Sequence, residues 1–176
     1  MTSMADRKTL TPAQRRVLMA SPAGWIACGF GSGLAPKAQG TFGSAAAILP
    51  WLLLLRVLSL PVYLLVVLAV FALGVWACNV AGRLLGVDDH RSLVIDEFVG
   101  QWIALLPALF APWWIVLAGF VLFRLFDVWK PWPIGWLDRR LKSGMGVMVD
   151  DVVAGVFAAL ALAVLMHACG VALAIP

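Results

Sequence analysis

Residues 61–85 read PVYLLVVLAVFALGVWACNVAGRLL, and no charge interrupts them before Arg83. A run this long and apolar is a membrane-crossing helix, because about 20 such residues cover the ~30 Å hydrocarbon core. Inside lipid the backbone has no water to bond, so it must bond to itself. Ser44–Leu58 lies just upstream, and the two runs form an apolar hairpin around Arg56 and Pro61. Downstream come Phe98–Phe123, broken at Pro107 and Pro112, and a last run, Val152–Ala174. Composition agrees: of 176 residues 63% are hydrophobic and 12% charged, with mean hydropathy +0.98. A soluble domain would be nearer half apolar and a quarter charged, and could not cover so much apolar surface. The expected fold is all-α: a polytopic helical membrane protein with about three full spans and a short or re-entrant helical pair.

One domain is expected over residues 1–176, with 1–43 a polar, Gly-rich leading segment and 44–176 the helical bundle. Thr11-Pro12 supplies a capping residue followed by Pro at a first helical position, so a short helix starts there and stops near Ser21-Pro22. With Arg15 and Arg16 beside Val17, Leu18 and Met19, that helix can lie on the membrane surface. No compact apolar stretch with a cleavage site stands at the N-terminus, so no signal peptide is expected.

Charge sets the topology. The 13 basic and 9 acidic residues give +4, and eight of the nine acids fall between Asp88 and Asp151. Arg7, Lys8, Arg15, Arg16 and Lys37 place the leading segment in the cytoplasm, against an anionic leaflet. The hairpin then returns Arg83 and Arg91 to that side. Arg124, Lys130, Arg139, Arg140 and Lys142 hold the stretch 124–151 there as well. Between them, helices over 96–111 and 112–127 would each reach about 24 Å at ~1.5 Å per residue, short of a full crossing. The last span leaves the C-terminus outside. Nucleic acid is excluded as a partner, since no basic patch is interleaved with aromatics. Trp25, Trp51, Trp113, Trp114, Trp129, Trp132 and Trp136 sit near run boundaries and read as an interfacial belt.

With this topology Asp88, Asp89, Asp96, Glu97, Asp127, Asp150 and Asp151 share the cytoplasmic face. Asp96-Glu97 open one helix, Asp127 closes the next, and Asp150-Asp151 open the last. Bundles build hard-cation sites from carboxylates on several helices, and a massed set repels itself unless a cation neutralises it. Taken singly, each group is equally well explained as a helix cap, or for Asp127 as an ion pair with Arg124 or Lys130 at i,i+3. Arg124 and Lys130 bracket Asp127, and cations beside a metal carboxylate are the equipment of phosphoryl transfer. Gly29–Ser44 is rich enough in glycine to form a backbone anion nest, or else is a flexible turn into the first span.

Other chemistries lack their residues. Cys28, Cys78 and Cys169 are too few and scattered for a disulfide framework. Four residues separate Cys78 from Arg83, where a cysteine phosphatase places five. His90 and His167 cannot supply a phosphohistidine network, and the acid run of CDP-alcohol transferases is missing.

Four motifs in register carry a resemblance: Gly31…Pro36…Gly40-Thr41-Phe42-Gly43-Ser44; Asp96-Glu97-Phe98-Val99-Gly100; Phe123-Arg124…Phe126-Asp127…Lys130-Pro131-Trp132-Pro133-Ile134; and Gly144-Met145-Gly146-Val147-Met148…Asp150-Asp151…Ala154-Gly155. Their order and spacing over residues 31–155 resemble the phosphatidylglycerophosphatase A family. The resemblance implies a Mg2+-dependent lipid phosphatase of the bacterial inner membrane, acting on phosphatidylglycerophosphate to give phosphatidylglycerol. It implies Asp127, Asp151, Lys130 and Arg124 as catalytic residues. Asp89, Asp96, Glu97, Asp127, Asp150 and Asp151 would hold the metal, and Arg124, Lys130, Gly40, Thr41 and Ser44 the phosphate. The nucleophile is either a metal-bound water or one of the aspartates. The chain departs from the family pattern at Gln39, where Pro is common, and at Arg91-Ser92, where Pro-Gly is commoner. Two rivals stand beside this reading, another lipid phosphotransferase and a small cation channel or transporter. A channel would carry its acids in mid-span rather than at run ends.

Overall fold

The computed structural model describes residues 10–87, 89–140 and 143–172; expectations involving Arg7, Lys8, Asp88, Lys142 and the side chain of Arg139 lie outside the described residues. Eight α-helices and no strand are present among them. Three are long and apolar enough to cross a membrane: Gln39–Val57 with its 3-10 end, Leu60–Leu85 and Gly144–Ala168.

Helix α1, Pro12–Met19, begins as its sequence requires. The Gln14 N–H donates to Thr11 Oγ1 at 3.2 Å, and the Thr11 N–H donates to Gln14 Oε1 at 3.0 Å. These bonds satisfy donors that a helix start leaves open. Leu18 is buried while Arg15 and Arg16 are exposed. A short α2, Pro22–Ala27, and a 3-10 turn over Gly29–Leu34 follow.

The first span, α3, starts at Gln39 and not at Ser44. Tertiary contact explains the difference. Gly43 faces Val94 so closely that a Cβ would stand 2.8 Å from the valine Cβ. The glycines that read as a loop therefore let a helix approach its neighbour. After α3 (Gln39–Leu53) the chain turns back into α4, Leu60–Leu85, which ends on Gly86 at φ 70. Glycine takes that left-handed conformation without penalty.

Helix α5, Ile95–Ala104, is shorter than expected. A 3-10 turn at Leu106–Ala108 and Pro112 separate it from α6, Trp113–Trp129. Ten residues rise about 15 Å, so α5 cannot cross a bilayer. It is instead wrapped by the bundle and packs chiefly against α8, Gly144–Ala168. At the crossing, a Cβ on Gly155 would sit 2.5 Å from the Gly100 carbonyl oxygen, so the two backbones touch. The chain returns through α6 to the end where α5 began, and α7, Ile134–Arg140, leads into α8.

A hydrogen-bond relay crosses the apolar interior. The Trp51 Nε1–H donates to Tyr63 Oη at 3.2 Å, the Tyr63 hydroxyl to the Trp102 carbonyl at 2.6 Å, and the Trp102 Nε1–H to the Ala47 carbonyl at 2.8 Å. It ties α3, α4 and α5 together where unpaired polar groups would be costly. Trp51 is thus fully buried and does not belong to the expected interfacial belt, whereas Trp113, Trp129 and Trp132 are exposed.

Candidate active site

The starts of α3, α5 and α8 and the end of α6 meet at one end of the bundle. Asp96 and Glu97 lie in the first turn of α5. The Glu97 N–H donates to Asp96 Oδ1 at 3.0 Å. Asp150 and Asp151 do not open the last helix as expected. Helix α8 starts at Gly144, whose N–H donates to Asn79 Oδ1 of α4 at 3.0 Å, so both aspartates lie inside it. They are 5% and 3% exposed, buried against neighbouring helices rather than capping a helix in water.

Oxygens of Asp96, Glu97 and Asp151 lie within 4.8 Å of one another. Glu97 Oε2 and Asp151 Oδ2 are buried and accept no hydrogen bond from the described residues. Burial pushes the Asp96 carboxyl well above the usual carboxylate range, and the charge on Glu97 adds to the rise. Burial likewise raises Glu97, on the same non-spanning α5. These three carboxylates, two of them with an open oxygen, fit a hard divalent cation, which takes oxygen ligands and neutralises their repulsion.

Two cations stand around this cluster. Arg124 Nη1 is 2.6 Å from Asp127 Oδ2 and 3.9 Å from Glu97 Oε1, and it donates to Ser44 Oγ at 3.2 Å. The Ser44 hydroxyl donates in turn to the Gly40 carbonyl at 2.9 Å. Lys130 caps α6 in a left-handed conformation, φ 45, and its ammonium pairs with Asp150 on α8. The sequence alternatives for Asp127 are thereby separated: Arg124 is its ion-pair partner, and Lys130 reaches across to another helix.

A cavity of about 740 Å³ opens onto Gly40, Asp96, Glu97, Lys130, Asp150 and Asp151. Asp89 stands on its exposed rim. Arg124, Asp127 and Ser44 are not on its wall; Arg124 reaches Glu97 and is itself held by Asp127 on α6 and Ser44 on α3. Thr41 is exposed and does not line the cavity.

Some site features escaped the sequence reading. Gln101 is fully buried one turn below Glu97, with neither amide atom hydrogen-bonded among the described residues. The available signal was a Glu and a Gln at i,i+4 in an apolar run. His90 is also buried, which lowers its pKa. Its Nδ1 accepts from the Ser92 N–H at 3.2 Å, a local bond with no sequence signature.

Comparison with known proteins meets this geometry. Residues 25–166 match the family described as phosphatidylglycerophosphatase A. The chain is 48% identical over 147 residues to phosphatidylglycerophosphatase A of Escherichia coli K12, covering 84% of this chain and 85% of that one. It is 40% identical over 144 residues to the Haemophilus influenzae protein of the same name, covering 82% and 88%. A Bacteroides thetaiotaomicron relative, provisionally named a phosphatidylinositol-3-phosphatase, is 43% identical over 146 residues, covering 79% and 90%. No solved structure matches the chain.

Proposed function

The chain belongs to the phosphatidylglycerophosphatase A family, and on that premise we propose that it removes the terminal phosphate of phosphatidylglycerophosphate to give phosphatidylglycerol, using Mg2+. The observation that carries the metal is the trio Asp96, Glu97 and Asp151, with oxygens within 4.8 Å and two of them lacking a donor. The cation, when bound, supplies Lewis-acid withdrawal of charge from the phosphomonoester.

The chain's own groups do the rest. Lys130, on the cavity wall and steered by Asp150, donates to the phosphoryl oxygens as their charge shifts in the transition state. Arg124 adds positive charge and fixes Glu97 and Asp127 in place. Gly40 keeps the wall open beside Glu97, and Asp89 extends the acidic rim. Water is the nucleophile in this reading: the trio is committed to the cation, Asp127 to Arg124 and Asp150 to Lys130.

The site opens to the cytoplasm and the protein resides in the bacterial inner membrane in this reading, supported by the basic residues gathered at the site end and on exposed α1. Anionic lipids would flank those residues. The experiment is phosphate release by the detergent-solubilised chain, with and without Mg2+. The substrates are phosphatidylglycerophosphate, phosphatidic acid and phosphatidylinositol 3-phosphate. Preferred, metal-dependent hydrolysis of the first is expected. No release, or equal release in excess chelator, would overturn the proposal.

A further inference from the structure

Among the described residues two basic side chains line the cavity, Lys130 and Arg91. Lys130 is held by Asp150. Arg91 is exposed and makes no ion pair among the described residues. Its backbone, by contrast, is firmly anchored. The Leu93 N–H donates to the His90 carbonyl at 2.8 Å, closing a turn with Arg91 and Ser92 at its corners. His90 and Ser92 on either side are 4% and 2% exposed. The Val94 N–H donates to the Ala27 carbonyl at 2.7 Å, and Gly33 packs so tightly on the Ser92 carbonyl that no Cβ fits. A buried turn therefore presents one exposed guanidinium at a fixed place on the cavity wall.

The remaining charges on that wall define what Arg91 can do. Asp89, Asp96, Glu97, Asp150 and Asp151 share it, and Lys130 is the only other cation among the described residues. If the substrate is phosphatidylglycerophosphate, as proposed above, it carries two anions: a terminal monoester and, one glycerol away, the phosphodiester that joins the headgroup to the lipid. With the monoester at the metal trio and Lys130, the diester still has to pass an acidic wall. A guanidinium matches its two non-bridging oxygens in a bidentate pair. We propose that Arg91 binds the phosphodiester of the lipid headgroup, and that it selects lipids bearing a diester in addition to the phosphate to be removed. This inference rests on the proposed substrate.

The test compares the full chain with Arg91→Gln and Arg91→Lys in mixed micelles with Mg2+. Phosphatidylglycerophosphate is read against phosphatidic acid, which has a monoester and no diester. Phosphatidylglycerol, which has a diester and no monoester, serves as an inhibitor. Arg91→Gln should raise KM for phosphatidylglycerophosphate about tenfold, the scale of one charge-assisted contact, with kcat within about twofold. Inhibition by phosphatidylglycerol should weaken in parallel, phosphatidic acid kinetics should not change, and Arg91→Lys should recover part of the loss. Unchanged KM and inhibition would overturn the inference, as would an equal loss on phosphatidic acid or a fall in kcat alone. Failure of the unmodified chain to hydrolyse phosphatidylglycerophosphate would instead overturn the functional reading, and this inference with it.

Discussion

Gly40 of α3 lies against Glu97 of α5 so closely that a Cβ at position 40 would press on the Glu97 carboxylate, 3.0 Å from both terminal nitrogens of Arg124. Both neighbours are the far ends of flexible side chains, so they can yield while the helices stay in place. Alanine also favours a helix by up to ~1 kcal/mol over glycine. Gly40→Ala should therefore fold at least as well as the unmodified chain but lose at least about tenfold in kcat, because it displaces the proposed metal ligand Glu97 and the Arg124 that holds it. Thermal unfolding in detergent and steady-state phosphate release would check the two halves separately. Normal turnover would show that Glu97 and Arg124 need no fixed position.

Gly155→Ala should behave in the opposite way. Its Cβ would meet a backbone atom, the Gly100 carbonyl oxygen at 2.5 Å, and backbone cannot rotate aside. Overpacking of this kind typically costs 1–3 kcal/mol, so the folded yield and unfolding temperature should fall. Any activity left per folded molecule should be near normal. A full-yield variant with impaired turnover would show that the α5–α8 crossing serves the site rather than the fold.

Lys130→Ala should lower kcat by about two decades, the scale of ~3 kcal/mol of transition-state stabilisation, and Arg124→Ala should also lower it, by releasing Glu97. Arg124→Lys should restore little, since one ammonium cannot span Ser44, Asp127 and Glu97 as the guanidinium does. Near-normal turnover in these variants, measured with saturating Mg2+, would reduce both residues to helix anchors.

Metal should couple to stability as well as to rate. At Mg2+ about 100-fold above its dissociation constant the unmodified chain should gain ~2.7 kcal/mol. Asp151→Asn should gain little and lose turnover outright, yet be no less stable than the unmodified chain in chelator, because one member of a repelling trio is gone. Asp89→Asn, on the rim, should need more Mg2+ but reach near-normal rates. Identical metal-dependent shifts in all three proteins would sink the cage.

The native cysteines report sidedness. Cys28 and Cys78 are buried, whereas Cys169 is exposed at the end of α8 away from the site. An impermeant maleimide should therefore label Cys169 in intact spheroplasts, with Cys169→Ser as the blank. Labelling only after permeabilisation would put the site on the outer face.

Local sequence determined a good deal here. Residues 61–85 have to be a spanning helix because lipid leaves the backbone no partner but itself. Thr11-Pro12 sets the start of α1, Pro107 and Pro112 break the second half, and charge at run ends gathers the acids at one level. These are effects of nearest neighbours and solvent, which a chain displays without being folded. Tertiary structure alone decided the rest. It extended α3 back to Gln39 and α8 back to Gly144, because a glycine or an aspartate that would end a helix in water can continue one packed against neighbouring elements. It chose Asp150 rather than Asp127 as the partner of Lys130. It also buried Trp51 on Tyr63 and singled out Asp96, Glu97 and Asp151 from among the described acids. Such pairings depend on which helices lie side by side and in what register, and that is settled only when the spans pack.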